Sequence, residues 1–587
     1  MSINFLAGLD RRAVLKNLAM ATILASVVLV GGGVAADPVD KDAEGRIKAK
    51  DNKGREWLLQ DWKDGTAKFP APEVAARYKE WLKDVTRPYP KDFKEREAWY
   101  RKKHGEHWDG PVWGDRILSP GNWKWEAIPM PDDIVKVLWE LGDRSKAAGG
   151  HRRLAGVWQV GCVYASGADV ATDVYSTGGQ AGMIHLDLKT KKFTVIGNPL
   201  EGGNKDGLGS AARLEGTSNW NLTIDLVTGR VFWRHPKEGH WSIGSLRYVE
   251  KLLPYNDKAN GKEYLLPAFL DFKDMYKKVK SPAGGELEPV VKDGRRADPV
   301  FAVKTVKKLD GQRLNGPGGE RGARPLVTHD GKAVYVEDGG TASYDVMRFD
   351  KIARCDLETG VRTPVPLKGV MPPATADKSS DATGSHGGIC VGVEGFLYAC
   401  QHGGCAGYPM QLVWFNPETG MPGVLYSSCS GKWGNARRGG GNGCSDGPAD
   451  SQYLMGTSTK WQTQCPRTGA IMNGGWDGSG IRRYQDGFVT SVADSPGERH
   501  FPRPDWNEKD APNTGGNTFM GGIAPNGDLY APDGYIPRIL RYYRTDWPKE
   551  QPEYGYGEKF MPKAKLEALM LEYAKKYIAN YQANSTF

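Results

Sequence analysis

One phrase returns along this chain often enough to restrict what it can fold into: a turn ending in glycine, followed at once by a short apolar or alternating strand. It reads IDLVTGRVFW at 224–233, HDGKAVYV at 329–336, GGICVGVEGFLYA at 387–399, CPRTGAIM at 465–472 and GGIAPNGDLYA at 521–531. The turn glycines are Gly229, Gly331, Gly395, Gly469 and Gly527. Glycine accepts the positive φ of a tight turn, and β-branched or aromatic residues after it suit a pleated strand. Each phrase is a hairpin.

A second phrase is interleaved with the first. HLDLKTKKFTVI (185–196), RCDLETGVRTPV (354–365) and WFNPETGMPGVL (414–425) each read strand, polar turn, strand. Inner hairpin followed by outer hairpin makes a four-stranded unit, repeating at intervals of 58 to 102 residues between turn glycines. Such a sheet cannot bury both faces alone, so the units must stack radially. The expected fold is all-β, a β-propeller of about six blades. With 76 glycines, 19 tryptophans and 25 tyrosines in a chain only 39% hydrophobic, aromatic residues must supply much of the buried area between tight turns.

DGLGSAARLEG (206–216) followed by NLTIDLVTGRVFW, and GGIAPNGDLYAPDGYIPRILRY (521–542), resemble NHL repeats in their Asp-Gly opening and Gly-x-Leu-Tyr-Ala core; SDGPADSQY (445–453) is a fainter echo. The resemblance spans roughly residues 154–545, with irregular stretches such as 254–320. It implies an NHL-like propeller of the gluconolactonase-like and amidating-lyase-like kind. That group holds lyases, hydrolases and binding platforms, so fold alone does not choose among them.

Residues 70–85, 89–104 and 131–148 carry helical spacing, and Pro131-Asp132-Asp133 is a good helix start. Residues 37–150 therefore read as a helical N-terminal extension and 151–550 as the propeller. Residues 551–587 read as a C-terminal segment whose amphipathic helix (562–582) turns Leu566, Leu569, Leu571, Tyr573 and Tyr577 toward the body.

Residues 1–36 read as an export signal. Leu18–Val30 is too short to span a bilayer, and Val34 and Ala36 suit a cleavage site before Asp37. Asp10-Arg11-Arg12-Ala13-Val14-Leu15-Lys16 resembles the twin-arginine signature, with Asp10 for its hydroxyl residue and Val14 for its aromatic. The expected location is periplasmic or secreted. The chain carries a formal charge of +9, and cleavage would remove three cations and one acid. That mild excess is not the footprint of a nucleic-acid binder, and no later segment is long and apolar enough to span a membrane.

The eight cysteines lack any C-x-x-C spacing, and seven of them fall within 355–465. In an exported chain they read as disulfides pinning glycine-rich loops. A thiolate copper site would need histidines converging on them. Cys390 and Cys400 flank one hairpin without facing each other by count from its turn, so each is expected to bond elsewhere.

Aligning the hairpins on their glycines puts Arg234-His235, Glu337-Asp338, Gln401-His402 and Asp533 at equivalent places after the second strand, with Asp477 beyond glycines in the fifth unit. Trp220-Asn221, Arg324 and His386 enter the first strands. From this set His235, His386 and His402 are the candidate metal ligands, and Arg324, Asp338 and Asp533 the candidate catalytic groups. A divalent zinc or calcium ion there would polarise a carbonyl or activate water, as a hydrolase or lyase of a small-molecule substrate requires. The same residue types also face solvent in ordinary loops, so a non-catalytic propeller binding a protein or glycan partner is the rival reading. Arg437-Arg438 beside a glycine run could form a backbone nest for an anion, without any phosphate-loop lysine pattern to support it.

Overall fold

A computed structural model describes residues 47–50, 56–59, 93–112, 123–137, 157–163, 173–178, 182–198, 201, 203–214, 222–237, 240–314, 325–337, 352–369, 389–402, 410–427, 447–448, 459–465, 468–475, 481–485, 488–493, 522–524, 527–532, 538–544 and 562–583. These are mainly β, as many small antiparallel sheets, and end in a long helix.

Six sheets share one plan of four antiparallel strands, consecutive in the chain except for the fourth strands of sheets II and VI. Sheet I holds Val157–Val163, Asp173–Gly178, Gly182–Asp187 and Phe193–Ile196. Sheet II holds Thr223–Ile224, Val231–Lys237, His240–Asp257 and Val300–Thr305. Sheet III is Leu326–Val327, Ala333–Glu337, Ile352–Asp356 and Arg362–Pro364; sheet IV is Ile389–Val391, Leu397–His402, Met410–Asn416 and Met421–Ser427. Sheet V is Thr459–Gln464, Ile471–Gly475, Ile481–Gln485 and Phe488–Ala493, with Gly447–Pro448 on its outer edge. Sheet VI is Gly522–Ile523, Leu529–Pro532 and Arg538–Arg544, and its fourth strand is Trp123–Pro129 from far upstream.

The first strands of successive sheets are neighbours, and that of sheet VI lies beside that of sheet I, so the cycle closes. An apolar cluster fills every junction. Met183 and Ile196 meet Val231, Trp233 and Val249 between sheets I and II. Phe232 and Leu246 meet Val334, Val336 and Ala353 between II and III. The remaining four junctions are built alike. Both faces of each sheet are thus covered. That is why strands such as Val231-Phe232-Trp233 are apolar at consecutive positions and do not alternate.

The tight turns have a chemical cause. Asp187, Asp225, Asp356 and Asn416 each accept, through Oδ1, the amides two and three residues on, at 2.8–3.4 Å. Threonine stands three residues after each, and the next residue has positive φ: Gly229 at 73°, Gly360 at 75°, Gly420 at 77°, and Lys191 at 58°. The side-chain oxygen mimics a turn carbonyl and glycine accepts the left-handed step. At Gly420 an added methyl would also run into the Pro366 carbonyl oxygen. Gly420→Ala is therefore expected to cost about 2–4 kcal/mol. A denaturant midpoint unchanged from the parent would show that the turn relaxes freely.

Sheet II is enlarged. Its 18-residue third strand runs past the sheet and pairs there with Glu263–Pro267 and Leu287–Pro289, inside the stretch whose sequence looked irregular. Helix α2 (Lys563–Ala583) docks on this extension. Leu566, Met570, Ala574 and Ile578, four residues apart, form its buried stripe; Leu569, Leu571, Tyr573 and Tyr577 flank it half-buried. The expected inward face is therefore correct at Leu566 and is otherwise the margin of the contact.

Upstream, helix α1 (Phe93–His104) lies within the expected 89–104 stretch, and residues 132–137 are helical after Pro131, the rest of the expected 131–148 stretch lying outside the described residues. Tyr100, Trp99 and Trp108 pack at the junction of sheets IV and V. The stretch 37–150 is not helical throughout, since it holds the hairpin Ile47–Lys50/Glu56–Leu59 and the strand Trp123–Pro129. Residues 70–85 and the export segment lie outside the described residues. No described helix is long and apolar enough to cross a membrane.

Cys355, Cys390 and Cys465 are buried in three different junctions, and no disulfide joins two cysteines among the described residues. Cys390 stands opposite Tyr398 and Cys400 opposite Leu412. That register makes Cys390 and Cys400 diagonal neighbours, a separation too long for a bridge.

Candidate functional site

The two ends of these sheets are built differently. At one end lie the hairpin turns with Gly229, Gly331, Gly395, Gly469 and Gly527, together with the outer turns at Lys191, Gly360 and Gly420. They are stitched across sheets. The amide of Leu226 donates to the His329 carbonyl at 3.2 Å, His329 Nε2 donates to the Val391 carbonyl at 2.9 Å, and the Val393 amide donates to Gln464 Oε1. At the other end the second strands finish and the first strands begin. The long connections 338–351, 365–388, 428–458 and 494–521 all attach there. At the first end the turns are stitched together and, at sheet II, covered by its extension and α2, whereas the second end gathers connections from successive sheets.

The candidates whose backbone is described belong to the second end. His235 pairs with Ser245, Glu337 with Ile352, His402 with Met410 and Pro532 with Ile539, each at the last turns of register before the third strand. The structure thus brings His235 and His402 to corresponding places on sheets II and IV. Arg324, Asp338, His386, Asp477, Asp533, Trp220 and Asn221 lie outside the described residues, as do the side chains of Glu337, Gln401 and His402. The Arg437-Arg438 loop is also outside them.

At sheet II the chemistry is visible atom by atom. Alternation turns Arg234 to the face of Phe232, toward sheet III, and His235 to the face of Trp233, toward sheet I. Arg234 is buried, and desolvation pushes its guanidinium down to about 10. His235 Nε2 lies 2.6 Å from Asn204 Nδ2. The Asn204 Oδ1 accepts from Arg247 Nη1, and Arg247 also donates to the Arg213 carbonyl and pairs with Asp206, both at 3.1 Å. Asp206 in turn accepts from the Thr305 amide and hydroxyl at 2.9 Å. Burial lowers Arg247, and the hydrogen bond and charge of Asp206 oppose that shift.

Arginine only donates, so the Asn204 oxygen must face it and the amide NH2 must face the imidazole. That assignment makes His235 Nε2 an acceptor, hence a neutral ring protonated at Nδ1. The Nε2 lone pair is already used. His235 therefore fits a metal poorly through Nε2. Among the described residues no set of three His, Cys, Asp or Glu is placed to hold a metal ion.

Sequence reasoning missed Asn204 and Arg247. The Asp206-Gly207 pair was visible as a repeat landmark, but its partners sit 41 and 99 residues away in sequence, beyond any local pattern.

No family model matches the chain, and no curated protein is similar to it. Among solved structures, an auxiliary nutrient binding protein from Bacteroides ovatus is 14% identical over 67% of this chain and 70% of its own, with a TM-score of 0.33.

Proposed function

We propose that the chain is an exported six-bladed β-propeller that holds a small-molecule ligand where its long connections gather. The observation that carries this reading is the asymmetry of the two ends: at one, mutually stitched turns covered by the sheet II extension and α2; at the other, connections arriving from successive sheets. The closed cycle of first strands supports the propeller, with Trp123–Pro129 closing the last blade. In the ordinary use of such a ring, the loop end encloses a concave pocket. Native mass spectrometry of the mature protein purified under mild conditions tests it. Bound small molecule that is displaced by variants of the loop end supports the reading; a ligand sensitive only to turn-end variants overturns it.

The enzymatic form of this reading, a hydrolase or lyase, needs a divalent cation such as zinc or calcium. Its remaining ligands are His386 and His402, with Asp338, Asp533 and Arg324 as the groups that would act on substrate. Because His235 Nε2 is engaged by Asn204, His235→Ala should leave metal content unchanged, whereas His402→Ala should abolish it. Elemental analysis of the three proteins checks this. A metal-free wild type leaves the non-catalytic binding form of the reading.

Export rests on the first 36 residues. Lysine at both Arg11 and Arg12 should strand precursor in the cytoplasm, because the twin-arginine route reads the guanidinium pair and not charge alone. Normal export of the double variant, followed by immunoblot of fractionated cells, would reassign the segment to the ordinary secretory route.

A further inference from the structure

Four turns are capped by Asp187, Asp225, Asp356 and Asn416, and three of them put glycine at the left-handed position. The turn of sheet I puts Lys191 there instead, at φ 58°. A lysine in that conformation crowds its Cβ against the next carbonyl oxygen. It also lacks the short polar side chain by which aspartate or asparagine offsets that strain locally. One other described lysine is left-handed: Lys273, at φ 44°, in the kink of the 3-10 helix Ala268–Lys278. Strain of this kind persists where the side chain itself is needed.

Both lysines belong to one surface. Lys192 Nζ pairs with Asp298 Oδ2 at 2.8 Å, which ties the turn of sheet I to the chain just past the hairpin Val291–Lys292/Arg295–Arg296. Arg296 Nε pairs with Asp271 Oδ2 at 3.0 Å, which ties that hairpin to the 3-10 helix. Three tips are thus linked in a row at the turn end of sheets I and II. The first exposes Lys189, Lys191 and Lys192. The second exposes Lys292 and Arg295 beside Val291, a valine 59% exposed. The third exposes Lys273 and Lys277, whose ammonium groups lie 5.7 Å from the half-buried rings of Phe272 and Tyr276. Within these tips the exposed acids are Asp274, Asp293 and Asp298, and Lys277 and Lys192 already match two of them. A positive excess remains, interleaved with apolar groups.

We propose that the three tips form a docking surface for an anionic phospholipid bilayer, which holds the turn end to the membrane and turns the loop end away from it. Lysine is a hydrated point charge on a flexible stem, so it suits mobile headgroups better than the fixed, forked recognition for which arginine is preferred. The cations supply attraction that builds up over several residues near a charged bilayer. Val291 and the two rings gain from the headgroup boundary, where an apolar residue flanked by cations is at home. A soluble polyanion would use the charges and leave those apolar groups in water.

The test uses the mature full chain, since the apolar export segment would bind lipid by itself. It is sedimented with vesicles of equal parts phosphatidylglycerol and phosphatidylcholine, and with vesicles of phosphatidylcholine alone. The protein should pellet with the anionic vesicles only, and should be released in about 1 M salt, where screening acts within about 3 Å. Lysine acetylation read by peptide mass spectrometry should show Lys191, Lys273 and Lys292 shielded by the anionic vesicles. Lys102, exposed on α1 beside sheets IV and V, should stay reactive. Lys191→Gly with Lys273→Gly should keep or raise the denaturant midpoint, because glycine accepts both conformations, yet weaken vesicle binding about tenfold or more. Lys292→Gln with Arg295→Gln should weaken it comparably if the glycine pair folds poorly. Failure to bind anionic vesicles overturns the proposal, as does equal binding to neutral ones. Binding that both double variants retain in full overturns it too. If vesicles are ignored and the three lysines are shielded only by cell extract, the surface serves a protein partner and the bilayer falls.

Discussion

Aspartate in place of Ile128 should destabilise the protein by about 4 kcal/mol or more, one of the two largest losses expected of any single change. Ile128 is 6% exposed and pairs directly with Ile539 in the strand that completes sheet VI. Its side chain packs among Ile184, Leu186 and Phe193 of sheet I and Tyr530 and Ile539 of sheet VI. This is the junction at which the two ends of the cycle meet. A carboxylate there loses the transfer energy of the isoleucine and finds no cation in the cluster, so it must either stay protonated or force the sheets apart. The matched control is Ala127→Asp, one residue away on the exposed face of the same strand. That change should cost less than about 1 kcal/mol. Denaturant midpoints for the two variants decide the matter: equal losses would mean that the strand Trp123–Pro129 is an ornament on sheet VI and not its closure.

That strand also shows where the sequence stops being legible. The inner and outer hairpins could be read because their information is local: a turn oxygen, a threonine, a glycine and a few apolar residues lie within ten positions. All the hairpin phrases named from sequence appear as paired strands. WKWEAIP at 123–129 has the same β composition, but its partner Arg538–Arg544 is over four hundred residues away, and the helical spacing around it masked the signal. The extension of sheet II was invisible for a related reason, since its strands pair with the far half of one very long strand and not with a turn neighbour. The site was legible as a set of equivalent positions, because counting from a turn glycine predicts which end of a strand a residue reaches. It was not legible as chemistry. Nothing local says that His235 gives its Nε2 to Asn204, since that bond depends on the orientation Arg247 imposes on the asparagine amide.

The helix that covers the opposite end should prove as costly to disturb as the closure, through a single carboxylate. Asp225 is fully buried and accepts from Arg230 Nη2 at 2.9 Å and Nε at 3.1 Å. The Arg230 guanidinium lies 4.9–5.2 Å from the rings of Phe232, Tyr248 and Tyr573. It also donates to Tyr573 Oη at 2.7 Å, and that hydroxyl donates to the Gly331 carbonyl at 2.9 Å. One arginine thus ties the turns of sheets II and III to α2. Burial by itself would lower Arg230, but Tyr573 and Asp225 raise it, while burial pushes the Tyr573 hydroxyl up to about 12 and keeps it a donor at neutral pH. Asp225→Ala leaves this cation buried without its counter-charge, and the expected loss is about 3–5 kcal/mol. Asp225 also caps its turn, accepting the amides of Val227 and Thr228. Asp225→Asn separates the two roles, since its Oδ1 can still cap the turn while the charge is gone. If the ion pair dominates, asparagine should cost nearly as much as alanine, and Tyr573→Phe should add little in the Asp225→Asn background. If asparagine costs under about 1 kcal/mol, the turn and not the pair holds this corner. Limited proteolysis then reads the consequence for the helix: with the pair broken, cleavage ahead of residue 563 should release α2, and a helix that stays bound would show that its apolar stripe suffices.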